Sequence, residues 1–392
     1  MAIRFLIAAL LCWPTIATGQ VTGRFFLQKE NFAPGEPVFL YFEVINSGTE
    51  TQNILQADPY SFCSGYSVRV SNDPDRNSSC ASMMMGGSCM SSDVPLPPGK
   101  SRIERILLNY EHKIDAAGYY DVEAIRELPF APADENYFEA TKNSVEVRQL
   151  LHFTVDESIT LDGAVITSLV DQLKSNDPAT RRDAARALAS VAPKSLEELL
   201  LSFADDPDLR TWAPLAFHNL NTPRSREALA TMVSNTDAGT YEGMKSADYL
   251  AESGDPKWFP LLLETAEKHS GLENYVDDAA QSGGSQVLPL LLQMMNTKDD
   301  EVTRSNAVSA LGYTGSRAAV PILISLLRTP APDIGGSAVF ALRQLTHRAA
   351  VDELWPENAQ SQYPEWVAWW NRDGINARVY KATECGEIKL LP

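Results

Sequence analysis

An all-β domain followed by an α-solenoid is the fold class this sequence predicts. Three observations predict it. Residues 20–155 hold short strand-like runs set off by Pro-Gly turns. Residues 160–380 repeat one phrase, a glycine, five residues and a proline that leads into an apolar helix. The 392-residue length is ample for two cores.

The first element is not fold. "MAIRFLIAALLCWPTIATGQ" has Arg4, an apolar run and a small-residue exit at Ala17 and Gly19. Residues 1–19 therefore read as a secretory signal peptide, and the protein is expected to be exported, periplasmic or extracellular. No later stretch approaches the roughly 20 apolar residues that span a bilayer, so membrane insertion is not expected. Without the leader's arginine, 32 basic and 51 acidic residues leave a balance of −19. That field repels phosphate backbones, which argues against nucleic acid as a partner.

The next elements are strands. In "PVFLYFEVINSG", Val38, Leu40, Phe42 and Val44 alternate with Phe39, Tyr41, Glu43 and Ile45, the two-residue period of a sheet. "RIERILLNY", "GYYDVEAIRE" and "SVEVRQLLHFTV" continue the series, and the spacing favours an antiparallel sandwich over 20–155. A Cys-, Met- and Ser-rich loop at about 57–93 interrupts it. Met83, Met84, Met85 and Met90 beside Cys80 and Cys89 are soft ligands of the kind that hold Cu(I). A disulfide would leave only thioethers, so no metal is expected. Asp73, Asp75 and Asn77 are spaced as in a calcium loop, but Ser78 and Met84 stand where its Gly and Glu belong. Cys80 with Cys89 is the favoured disulfide, leaving Cys63 for Cys385, although four cysteines allow three pairings. "FAPGEPVFLYFEVINSGTE" with "LPPGKSRIERILLNYEHKIDAAGYYDVEA" resembles the immunoglobulin-like sandwiches of exported bacterial proteins.

The repeat runs from 160 to 380, with 381–392 as a tail. Gly315, Gly283 and Gly254 each precede a proline by six residues (Pro321, Pro289 and Pro260), and Asn221 and Ala192 take the glycine's place in two earlier units. Glycine can adopt the left-handed conformation that ends a helix, and proline costs least in the first turn of the next. Each hairpin buries one apolar face only by stacking on its neighbour, which gives five to six hairpins sharing a continuous core. Small residues such as Ala184, Ala187, Ala307 and Ala310 let the first helices approach closely. "DDEVTRSNAVSALGYTGSRAAVPILISLL" resembles a HEAT repeat of the phycobilisome-lyase type. "WPENAQSQYPEWVAWWNRDG" resembles the Trp-rich element that closes such arrays, with Trp366, Trp369 and Trp370 over the open end in preference to forming a binding shelf.

No catalytic pattern emerges. The helical histidines His218, His269 and His347 are followed by Asn219, Ser270 and Arg348, so the His-Glu pairs of HEAT-type iron hydroxylases are absent. There is no H-E-x-x-H, G-x-S-x-G or P-loop. An enzyme is not expected, nor a cofactor.

What a solenoid offers is a surface. Four and seven residues after each proline position, the second helices present Ser202, Thr231, Glu264, Gln293 and Ser325, with Glu267, Asn296 and Arg328 among the outer row. These residues are expected to line the concave side and to bind a protein segment. The expected function is a non-enzymatic protein-protein interaction or scaffolding module of the cell envelope. The alternative is a regulator or inhibitor of an exported enzyme acting through the β-sandwich.

Overall fold

The computed structural model describes residues 21–57, 59–60, 64–71, 91–114, 116–133, 143–161, 163–234, 239–268, 274–297, 300–347, 359–374, 376–382 and 388–390. Residues 1–20, the cysteines Cys63, Cys80, Cys89 and Cys385, the Met cluster, His269 and Asp299 lie outside them. The chain divides into two compact units, at Leu161 and Asp162.

The first unit is built from two sheets. Strands β1 (Val21–Leu27), β3 (Phe39–Asn46) and β7 (Ser101–Leu107) form a three-stranded antiparallel sheet in the order β1-β3-β7. The other sheet runs β2 (Asn31–Phe32), β9 (Ser144–Val155), β8 (Gly118–Pro132), β4 (Gln52–Ala57) and β6 (Ser91–Leu96), with β5 (Tyr66–Val70) also paired to β8. Period-two alternation decides the inner face: Val38, Leu40, Phe42 and Val44 are fully buried and join Phe25, Val122, Ala124 and Phe153 in one core. Phe25 packs on Phe42 with ring centroids 4.6 Å apart.

Two details correct the sequence reading. The larger sheet is mixed, because β2 lies parallel to the end of β9 (Asn31 beside Thr154, Phe32 beside Val155). Two residues are too few to show a period. The stretch assigned to a loop at 57–93 also contains β5, whose "YSVRV" pairs antiparallel with β8 from Tyr66–Arg126 to Val70–Val122.

The second unit is a run of helical hairpins. Helix α1 (Gly163–Gln172) opens it. First helices are α2 (Pro178–Val191), α4 (Ala213–Leu220), α6 (Tyr241–Glu252), α8 (Asn274–Gly283), α10 (Glu301–Ala310) and α12 (Pro332–Thr346). Second helices are α3 (Glu197–Leu201), α5 (Pro223–Ser234), α7 (Phe259–Lys268), α9 (Leu288–Thr297), α11 (Ala319–Leu326) and α13 (Ala359–Asp373). Asp177 and Asp300 cap α2 and α10, each accepting from two backbone amides. Ala184, Ala187, Ala307 and Ala310 are fully buried, as the close approach of first helices requires.

Each first helix ends on a left-handed residue: Ala192, Asn221, Gly254, Gly284, Gly315 and His347, with φ between 36° and 63°. Five of these junctions were legible from the spacing, with one shift. In the fourth hairpin the left-handed residue is Gly284, and Gly283 is helical at φ −81°. Gly283 answers a different demand, since a Cβ there would meet the Phe259 ring at 2.9 Å. His347 adds a sixth junction that no glycine announced.

At the far end, Trp366 and Trp369 are buried, 2% and 6% exposed, with their rings edge-to-face at 5.6 Å. Arg317 donates to the carbonyls of Gly374 and Ala377 and clamps the end of α13 to the fifth hairpin. The segment assigned to a tail contributes to an antiparallel ribbon, β10 (Tyr380–Ala382) with β11 (Ile388–Leu390).

Candidate protein-binding face

The residues expected on one face of the second helices are all exposed: Ser202, Thr231, Glu264, Glu267, Gln293, Asn296, Ser325 and Arg328. The helical neighbour rule brings them to that face, because positions three and four apart lie one above the other.

Their polar atoms are largely committed to their own helices. The hydroxyls of Ser202, Thr231 and Ser325 donate to Leu199 O (2.7 Å), Glu227 O (2.9 Å) and Ile322 O (2.7 Å). Asn296 donates to Leu292 O at 2.8 Å, and Glu264 pairs with Lys268 one turn on. Arg328 holds its guanidinium 5.5 Å from the Tyr363 ring of α13. The face is thus short-chained and internally satisfied. A partner there would gain more from shape and apolar stems than from new hydrogen bonds.

A second row joins successive hairpins. Arg224 pairs with Glu198, and Lys257 reaches Glu227 at 3.2 Å. Glu198 and Glu227 occupy the position that proline takes in the third, fourth and fifth hairpins. Where the chain writes Glu instead of Pro, the next hairpin supplies a cation. Where it writes Pro260 or Pro289, the next hairpin has Gln286 or Ala318.

Polar groups also gather in the first helices of the middle hairpins. His218 stacks on Tyr249 at 4.2 Å and approaches Glu252 at 3.7 Å, with about a third of its side chain exposed. It packs against a ring and is not sealed inside. Lys245 pairs with the buried Asp248 at 2.5 Å, and Asp278 is 2% exposed. Burial alone pushes the Asp277 carboxyl up to about 8, and its Oδ1 has no hydrogen-bond partner. Asp300 is an N-cap, whereas Asp206 pairs with Arg181 at 3.2 Å. Among the described residues no group of three or more His, Cys, Asp or Glu could hold a metal ion. No helix among them is long and apolar enough to cross a membrane.

In the first unit, the buried ionic group is one the sequence reading missed. Glu104 on β7 accepts a hydrogen bond from Tyr66 on β5 and lies 3.9 Å from the fully buried Arg126 of β8. Arg126 holds its guanidinium 4.2 Å from the Tyr66 ring and donates to Leu55 O at 3.2 Å. The available signal was alternation: Glu104 shares its parity with Ile106, which points inward.

No curated protein matches the chain. Two of its segments, 166–242 and 287–368, match a family described as HEAT repeats, and the unmatched stretch between them coincides with the hairpins whose first helices bury Asp248 and Asp278. The helices and left-handed junctions nevertheless continue through that stretch, so the second unit carries an array of HEAT repeats between residues 166 and 368.

Proposed function

We propose that this protein is an exported, non-enzymatic scaffolding or protein-interaction module of the cell envelope, binding its partner on the second-helix face of the array. HEAT repeats commonly mediate protein-protein interaction. The observation that carries the reading is the continuous face from Ser202 to Ser325, exposed on five successive hairpins. The repeats, phycobilisome-lyase-like in sequence, act here as a surface and not as a lyase. Export rests on the leader at residues 1–19. The β-rich unit, read as an immunoglobulin-like sandwich, is the second half of the module.

A photo-crosslinking residue at position 293 tests this directly. The protein is incubated with native envelope extract and adducts are identified by mass spectrometry. One dominant protein adduct, reduced at least tenfold by Thr231→Arg with Glu264→Arg, is the expected result. Capture by the intact protein with no adduct at 293 would remove the function from this face. Cell fractionation tests export, and a cytoplasmic full-length chain retaining the leader would overturn it.

A further inference from the structure

Strand β7 stands at one end of the sheet β1-β3-β7 in the first unit. Asn46 N donates to Lys100 O at 3.0 Å and Leu108 N to Val38 O at 2.9 Å. With Val44 opposite Arg102, Phe42 opposite Glu104 and Leu40 opposite Ile106, these bonds commit the even-numbered residues of β7 to β3. The backbone groups of Ser101, Ile103, Arg105 and Leu107 therefore face away from the sheet. Leu107 N is taken by the Tyr60 hydroxyl at 2.5 Å, which closes one end of the edge. The backbone groups of Ser101 and Ile103 meet no acceptor or donor among the described residues. The opposite edge of the same sheet is treated differently, since Phe25 N on β1 is plugged by Gln149 Oε1 at 3.0 Å.

The side chains along β7 point to a chemistry. Ile103 stands 55% exposed on the outer face, continuing the cross-strand row Arg24, Glu43, Ile103. Lys100 and Arg102 form no ion pair among the described residues, in a chain whose net charge is −18. Glu104 is turned inward and held by Tyr66 and Arg126, which fixes the middle of β7 to the other sheet and spares a docking strand the entropy of ordering it.

We propose that β7 is a docking edge for an extended, acidic segment of a partner protein, which adds as a fourth strand to β1-β3-β7. Backbone bonds to Ile103 and its outward neighbours supply affinity, and alternate apolar side chains lie beside Ile103. Carboxylates of the added strand meet Lys100 and Arg102. The same cations deter a neutral or basic strand, as charges on sheet edges do. A second copy of this chain is disfavoured by the cations that two facing β7 strands would bring together. This edge belongs to the first unit.

Fluorescence anisotropy of the full chain with a labelled ten-residue alternating valine–glutamate peptide is the test, with the valine–lysine peptide as comparison. The expected result is saturable binding of the glutamate peptide, at least tenfold tighter than the lysine peptide and weakening with salt. Ile103→Pro removes an outward amide at a position where an edge strand tolerates proline, and should cost at least tenfold in affinity. Ile103→Glu keeps the amide, adds a like charge and should weaken binding similarly. Lys100→Glu with Arg102→Glu should reverse the preference between the peptides. No binding, equal binding of both peptides, or binding unaffected by Ile103→Pro in a variant with native circular dichroism would overturn the proposal. Loss of binding on Gln293→Arg would assign the peptide to the array and also overturn it. A concentration-dependent dimer abolished by Ile103→Pro would replace the acidic partner with a second copy.

Discussion

Asp277 shows what one side chain can do to the array. Its carboxyl titrates near 8 in the folded protein because burial disfavours the charge. The unfolded chain ionises it near the ordinary 3.8. Between those values the unfolded chain has lost the proton and the folded chain keeps it. The Asp277 contribution to stability is therefore greatest below the lower value, falls by at most about 1.4 kcal/mol per pH unit across the window, and levels off above pH 8. Asp277→Asn should remove that slope. Urea midpoints at pH 4 and pH 8 check it: parent and variant should agree at the lower pH, and the variant should be the more stable at the higher. The Glu104–Arg126 pair belongs to the same scale with the opposite logic, because removing one partner would strand the other charge in a dry core.

At the scale of elements, the junctions were the most legible part of the chain. Gly-x5-Pro located Gly254 and Gly315 directly, and the same frame found Ala192 and Asn221 without a glycine. It slipped by one at Gly283 and Gly284, because one glycine serves packing against Phe259 and the next serves the turn. Sequence shows two glycines and not which demand each meets. The parallel β2 was invisible for lack of length, and the inward ion pair was masked by the exposed habit of Glu and Arg. The candidate face was legible as positions but not as chemistry: that Ser202, Thr231 and Ser325 bond back to their own helices is decided by rotamers. Ala192 still carries a Cβ in the left-handed region at φ 36°. Ala192→Gly should raise stability by about 0.5–1 kcal/mol, and Gly315→Ala should lower it by about 1 kcal/mol. Paired thermal unfolding curves measure both signs.

For the helical array as a whole, each hairpin touches mainly its neighbours, so damage should stay graded. Trp366→Ala empties a large buried site beneath the end of the array and should cost about 3–5 kcal/mol locally. Hydrogen exchange should show protection falling most in α11–α13 and least in α2. Uniform loss across all helices would mean that the array unfolds as a single block.

The alternation between glutamate and proline at the start of the second helices has a mechanical meaning. The joints at Glu198–Arg224 and Glu227–Lys257 are ionic and exposed, so dissolved salt screens them. Pro260, Pro289 and Pro321 instead restrain their own backbone at the start of each helix, an effect indifferent to salt. Added salt should therefore loosen the contacts between the first three hairpins slightly and leave those between the later ones unchanged, a difference that hydrogen exchange at low and high salt would read.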